Sequence, residues 1–298
     1  MPPEARRAIL AWYAERGRPL AFRRTRDPYA VLVSEAMAQQ TQAARAAEAW
    51  ERFLLRFPTV RALAAASPAD VIRQWAGLGY DRRALALWRA AGIIVAECDG
   101  LVPDDVEALE ALPGVGPYTA RAVAALAFGR PVGAVDVNVR RVLGRIVAGD
   151  ATALTPRAMQ AVADASVPHD DPGGWTHAVM DIGATVCKPR NPRCDACPAR
   201  PWCRYATATA SASAGVTAPA STTRRAARAT AAPFHTTNRW LRGRTLTRLR
   251  AAPEHAWSTI EAPLGTHDGT AIDAALAGLQ RDGLIERDGA GRARLRAS

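Results

Sequence analysis

Leu112-Pro-Gly-Val-Gly-Pro-Tyr-Thr-Ala120 is a short turn punctuated by Gly114 and Gly116, set between two stretches of helical periodicity, 104–111 and 117–128. The two glycines keep side chains away from the turn, and Pro117 stands at the first helical position, where a missing N–H costs nothing. Backbone N–H groups at such a helix N-terminus point outward and make a ready grip for phosphate. Any tight helix–helix turn can hold two glycines for packing alone, so the meaning of this one depends on what surrounds it.

On both sides the pattern is helical. Apolar residues recur at helical spacing from residue 3 to about 186, with Pro, Gly, Asp or Ser between the runs and almost no strand-like alternation. The spacing predicts helices over 29–38, 42–57, 59–66, 69–76, 82–97, 104–111, 117–128, 137–148, 156–167 and 173–185, which is an all-α domain without a fixed-period repeat. In 206–232 the composition changes: 21 of 27 residues are Ala, Ser or Thr and the only charges are Arg224, Arg225 and Arg228. That segment reads as a flexible basic linker. Beyond it, helices over 239–251 and 270–282 precede LIERDGAGRARL (284–295), two apolar runs around a glycine turn. The 233–298 segment is either a small winged-helix-like module or a helical hairpin with a frayed tail.

The 298 residues carry 39 basic and 28 acidic side chains, a formal charge of +11. A polyanion is the first partner such a surplus suggests, against the alternative of a solvated basic surface. All the cations but Lys188 are arginine, so a reaction that needs a free side-chain amine has one candidate. No run approaches the roughly 18 apolar residues of a membrane span. The opening MPPEARRAILAWYAERG has no uninterrupted apolar core, so the expectation is a cytoplasmic protein without a membrane partner.

Four of the five cysteines fall in CKPRNPRCDACPARPWC, with spacing Cys187-x6-Cys194-x2-Cys197-x5-Cys203. An odd total with four together argues for a metal centre in a reducing compartment. Zinc sites of four cysteines usually present two close pairs, whereas one pair with two outliers suits a cubane better. Lys188, Arg190, Arg193, Arg200 and Arg204 give the loop a basic shell suited to phosphate. Cys98, on a helical face, reads as a small core residue.

Two carboxylates stand out. Asp136, in VDVNVRRV (135–142), reads as a helix N-cap, which is compatible with a second role in chemistry. Glu35, in SEAMAQQTQ (34–42), follows Val31, Leu32 and Val33 on a helix. A surface-facing Glu is the simpler alternative, but those neighbours favour partial burial, which raises a carboxyl pKa.

In this order, the glycine hairpin, the aspartate beyond it and the four-cysteine loop resemble the helix-hairpin-helix DNA glycosylase superfamily over roughly residues 5–205. SEAMAQQTQ is similar to the SE-x-M-x-QQTQ stretch of the MutY-type adenine glycosylases, and Gly77-Leu-Gly-Tyr80 to their GLGYY, with Asp81 in place of the second Tyr. The resemblance implies two helical lobes with the active site between them, a 4Fe–4S cluster on Cys187, Cys194, Cys197 and Cys203, and removal of adenine mispaired with 8-oxoguanine or guanine in duplex DNA. Glu35 would protonate adenine N7, Asp136 would stabilise the sugar cation, Tyr118 would orient these groups and Asn138 would support Asp136. Gln40 and Tyr80 match residues that wedge into the DNA stack, Thr41 and Leu78 match contacts to the opposite base, and Gly114 and Gly116 would hold phosphate.

Lyase relatives carry a Lys where this chain has Tyr118, so the resemblance implies a monofunctional enzyme, acting as a nucleoid-associated monomer. The usual C-terminal 8-oxoguanine-checking domain has no evident counterpart in 233–298. A thymine glycosylase acting on G·T mismatches, or a DNA-binding iron–sulfur protein without catalysis, are the competing expectations.

Overall fold

A computed structural model describes residues 1–213 and 232–297. The helices run α1 (Pro3–Arg16), α2 (Pro28–Ala38), α3 (Ala43–Arg56), α4 (Val60–Ala64), α5 (Pro68–Gln74), α6 (Arg82–Glu97) and α7 (Val106–Glu110). They continue as α8 (Pro117–Phe128), α9 (Val137–Ala148), α10 (Pro156–Ser166), α11 (Pro172–Asp181), α12 (Arg204–Ser213), α13 (Asn238–Ala251) and α14 (Gly269–Arg281). The bounds follow side-chain punctuation. Asp105, Asp136, Thr155, Asp171 and Asp268 each accept a hydrogen bond from a first-turn N–H, and Pro117, Pro156 and Pro172 open their helices.

The described residues fall into two compact units, 1–35 with 102–213 and 36–101 with 232–297. In the first, α11 packs against α1, α8 and α9, and α12 packs on α9. Ile9, Val142, Leu143, Met159, Trp175 and Ile182 lie in its core. A π-helical turn, Ile182–Val186, carries α11 into the cysteine loop.

In the second unit α4 and α5 pack on α6, and Phe53, Phe57 and Trp75 are fully buried in edge-on ring contacts. The C-terminal segment does not stand as a body of its own. Leu246, Leu249, Ile272 and Leu276 share one core with Ala69, Ile72 and Leu85 from 36–101. Antiparallel strands β1 (Ile285–Arg287) and β2 (Ala293–Leu295) close it, and a bridge from Ser258 to Ala293 adds a third short edge. The segment thus runs helix, short edge, helix and hairpin.

The segment expected as a linker over 206–232 differs from that expectation at its start. Helix α12 extends through Ser213, because an alanine-rich run is also the best helix former. The rest of that expectation, 214–231, lies outside the described residues.

Candidate functional site

The hairpin is built by two short-range devices. Asp105 caps α7 through Glu107 N–H and Ala108 N–H, and Gly114, at φ +80°, takes the left-handed conformation that turns the chain toward α8. Gly116 is the N-cap of α8, and no atom lies within 4 Å of where its Cβ would stand, so this face of the turn is open. Tyr118, on the first turn of α8, brings its hydroxyl to 3.7 Å from Met180 Sδ.

Glu35 lies on α2 with 6% of its surface exposed, between buried Val31, Leu32, Val33 and Met37. Its Oε2 is buried without a hydrogen-bond partner among the described residues. Burial, assisted by the negative charge of Asp136, pushes its pKa up to about 7, against a hydrogen bond from Tyr118 and the charge of Arg23. Tyr118 is itself held protonated, raised by burial and by the charges of Glu35 and Asp136. A neutral phenol and a carboxyl poised near neutrality therefore face one another beside a second carboxylate.

That second carboxylate is fixed differently. Asp136 Oδ1 accepts from Asn138 N–H at 2.9 Å and Val139 N–H at 2.7 Å, while Oδ2 accepts from Asn138 Nδ2 at 2.9 Å. One oxygen caps α9 and the other is turned by Asn138. The expected cap and the expected chemistry are thus compatible in one residue. Glu35, Tyr118, Asp136 and Asn138 all belong to the first unit, and the structure brings them together.

Sequence reasoning missed the ion cluster beneath them. Asp181 is fully buried and receives Arg18 Nε at 2.6 Å, Arg18 N–H at 2.8 Å, and Arg23 Nη1 and Nη2 at 2.7 and 2.8 Å. Burial alone would raise its pKa, but the hydrogen bonds from Arg23 and Arg18 and their charges hold it below the ordinary carboxylate range. His177, with Nδ1 buried and unpartnered, is pushed down to about 3 by burial and by Arg23, and stays neutral. Arg23, His177, Ser34 and Asp171 line a cavity of about 220 Å³. Arg18 and Arg23 lie 163 and 158 positions from Asp181 in the chain, and no local motif announces the cluster.

The four cysteines also converge. Cys187 follows the π turn, Cys194 opens a 3-10 turn that Cys197 follows, and Cys203 leads into α12; all four line one pocket with Val142, Ile146, Ile182 and Tyr205. Among the described residues no acidic, His or Cys group is gathered tightly enough to hold a single metal ion. Four thiols lining one pocket are the donor chemistry that an iron–sulfur cluster would take. Buried Arg145 pins the loop through Cys187 Sγ at 3.3 Å, Lys188 O at 2.8 Å and Pro189 O at 3.1 Å, with its guanidinium 4.6 Å from the Tyr205 ring centroid. Lys188, Arg190 and Arg204 are exposed.

Gln40, Thr41, Leu78 and Tyr80 sit in the second unit. Arg83 joins their two loops. Its Nη1 donates to Ala36 O at 3.0 Å, Met37 O at 3.2 Å and Gln39 O, and its Nη2 to Thr41 Oγ1 at 3.2 Å, Leu78 O at 3.3 Å and Gly79 O at 3.0 Å. Gln40 and Tyr80 are exposed and both have positive φ, +54° and +47°. Leu78, in contrast, is buried, so its side chain supports the loop in this conformation.

The profile of the HhH-GPD superfamily base excision DNA repair proteins matches residues 33–167. The adenine DNA glycosylase of Mycobacterium tuberculosis is 43% identical over 289 residues, 95% of this chain and 91% of its own length. That of Mycolicibacterium smegmatis is 40% identical over 286 residues, covering 95% and 93%. Among solved structures, a thermostable thymine-DNA glycosylase matches with a TM-score of 0.64 at 29% identity, over 68% of this chain and 95% of that one. Among the described residues no helix is long and apolar enough to cross a membrane. With hairpin, paired carboxylates and cysteine loop in place, this chain is a DNA glycosylase of base excision repair and belongs to the adenine DNA glycosylase family.

Proposed function

We propose that this protein hydrolyses the N-glycosidic bond of adenine mispaired with 8-oxoguanine or guanine in duplex DNA, and leaves an abasic site without cleaving the strand. The observation that carries the reading is Glu35: buried, raised to about 7, with one oxygen unpartnered and Asp136 beside it. Adenine is a poor leaving anion. A carboxyl that is protonated near neutral pH can deliver a proton to N7, and the leaving base departs neutral.

As the bond breaks, positive charge develops on the sugar, and the carboxylate of Asp136 stabilises it electrostatically. Asn138 keeps Oδ2 aimed, and Tyr118 orients Glu35. Water then adds to C1′ while its proton returns to the Glu35 carboxylate. The base is reached only when extruded from the duplex, with Gln40 and Tyr80 entering the stack, Thr41 and Leu78 beside the opposite base, and Gly114 and Gly116 gripping phosphate.

Cys187, Cys194, Cys197 and Cys203 would hold a 4Fe–4S cluster, which when bound fixes the basic loop that carries Lys188, Arg190 and Arg204 toward phosphate. The protein works as a nucleoid-associated monomer in the cytoplasm. Single-turnover assays on A·8-oxoguanine, A·G and T·G duplexes test the reading. Adenine release on the first two, abolished in Glu35→Gln with duplex binding retained, is the expected result. Turnover of T·G in preference to A·8-oxoguanine would favour the thymine reading suggested by the solved thymine-DNA glycosylase.

A further inference from the structure

The loop Gly77–Asp81 is conformationally costly. Gly77, Gly79 and Tyr80 all have positive φ, and at Tyr80 a side chain makes that conformation unfavourable. Such a backbone persists only where its surroundings hold it. Part of the hold is local: Trp75 Nε1 donates to Gly79 O at 3.2 Å, and Arg83 takes both Leu78 O and Gly79 O.

The rest comes from the C-terminal segment. Asp81 stands at the start of α6 yet makes no capping bond with its side chain. Its carboxylate is taken by Arg250 of α13, across 169 positions of chain, in an ion pair whose side chains are 12% and 15% exposed. Arg250 is aimed by a second bond, Nε to Ile72 O at 3.0 Å. At the other end of α13, the Arg239 guanidinium lies 4.6 Å from the Tyr80 ring centroid, and Arg83 lies 5.6 Å from it. The helix is itself anchored, because Leu246 and Leu249 are buried in the core that contains Ile72 and Leu85.

We infer that Arg250 and Arg239 are positioning residues for the wedge. The C-terminal module braces the 77–81 loop through Asp81 and Tyr80, and so sets how readily Tyr80 enters the DNA stack. This rests on the reading of Tyr80 as the wedge. The departure at Asp81 then has a function: where the related stretch carries a second Tyr, this chain carries the acid that its own α13 latches. The module thereby supports base extrusion without touching the base. α14 is the less basic helix of the module, carrying Arg281 against Asp273, whereas α13 carries five arginines.

The test uses the full-length protein and a duplex with 2-aminopurine in place of the target adenine, whose fluorescence rises on extrusion. It is read beside the single-turnover rate on A·8-oxoguanine and beside Tm. Asp81→Asn, Arg250→Leu, Tyr80→Ala, the double variant Tyr80→Ala/Arg250→Leu and the swap Asp81→Arg/Arg250→Asp are compared. Asp81→Asn and Arg250→Leu are expected to lower extrusion and rate about tenfold, the size of coupling that contacting residues show, with the swap recovering most of it. The double variant is expected to be no worse than Tyr80→Ala alone.

Asp81→Asn at wild-type extrusion and rate, beside a defective Tyr80→Ala, would overturn the brace while leaving the wedge intact. A wild-type Tyr80→Ala would overturn the wedge reading and the brace with it. A double variant much worse than Tyr80→Ala would show that Arg250 acts elsewhere, which also overturns the proposal.

Discussion

Asn138 controls the one oxygen of Asp136 that the helix does not use: its Nδ2 donates to Oδ2 at 2.9 Å while Oδ1 remains with the two N–H groups of α9. Asn138 is aimed in turn by Arg141, whose Nη2 donates to Asn138 Oδ1 at 2.8 Å and whose Nε donates to Cys187 O at 2.7 Å. Asp136 is therefore two side chains away from the cysteine loop.

Asn138→Ala removes the bond to Oδ2 and spares the cap. A hydrogen bond to a charged group is worth about 1.5–3 kcal/mol, so the single-turnover rate should fall about 10–100-fold. Because Oδ1 keeps both backbone donors, Tm should move by no more than about 3 °C. Asp136→Asn keeps a capping oxygen but loses the negative charge, and its rate should fall by at least about 100-fold. Rates and thermal scans on the same preparations separate the two effects.

The pH dependence follows from Glu35. With its folded value raised to about 7, the acid form is present below that pH, and the rate should decline as pH rises through about 7. The stability effect has the same direction. Between the ordinary value of 4.5 and about 7 the folded state binds a proton that the unfolded chain has released, so stability is lost as pH rises through that window. A gap of that size corresponds to about 3 kcal/mol. Glu35→Gln removes the cost and should raise Tm relative to wild type at pH 8 while leaving the two alike at pH 4. Denaturation at both pH values checks this, and equal Tm differences at the two would contradict the burial argument.

Much of this site was legible because its devices are local. Pro117 and Asp136 mark helix starts, and α8 and α9 form at the expected bounds of 117–128 and 137–148. Glu35 was legible from the apolar residues before it. The Asp181 cluster and the Asp81–Arg250 pair were not, since each joins residues more than 150 positions apart and depends on packing that no spacing encodes. The start of the 206–232 segment differs from a linker for another reason: low complexity suggests flexibility, whereas alanine placed after Cys203 continues a helix that packs on α9.

The lysine arithmetic gives a chemical prediction. Tyr118 occupies the hairpin position, and the only lysine, Lys188, is exposed on the cysteine loop. Borohydride added during turnover should trap no covalent protein–DNA adduct, and abasic product should accumulate with the strand intact. Lys188→Ala should preserve the rate at saturating enzyme and weaken duplex binding. The slope of log K against log salt should become shallower by about 0.9 if Lys188 holds one phosphate. An unchanged slope would remove it from the DNA contacts.

If the four cysteines hold the proposed cluster, Arg145 should couple its retention to stability. Its guanidinium serves Cys187 Sγ and the carbonyls of Lys188 and Pro189 together, and Arg145 is only 8% exposed. Arg145→Gln cannot span all three and leaves at least one buried carbonyl without a donor, besides losing the stack on Tyr205. Leaving a buried acceptor without its donor costs about 1–3 kcal/mol, and the loop that carries the four cysteines takes most of the strain. The variant should therefore bind less iron per chain than wild type, melt several degrees lower and show weaker duplex binding. The rate of the folded, iron-loaded fraction should be less affected, because Glu35 and Asp136 are held by α2 and α9. Iron content, calorimetry and single-turnover rates on one preparation decide the point. A variant with full iron content and wild-type Tm would mean that the sulfur ligation alone, without Arg145, fixes the loop.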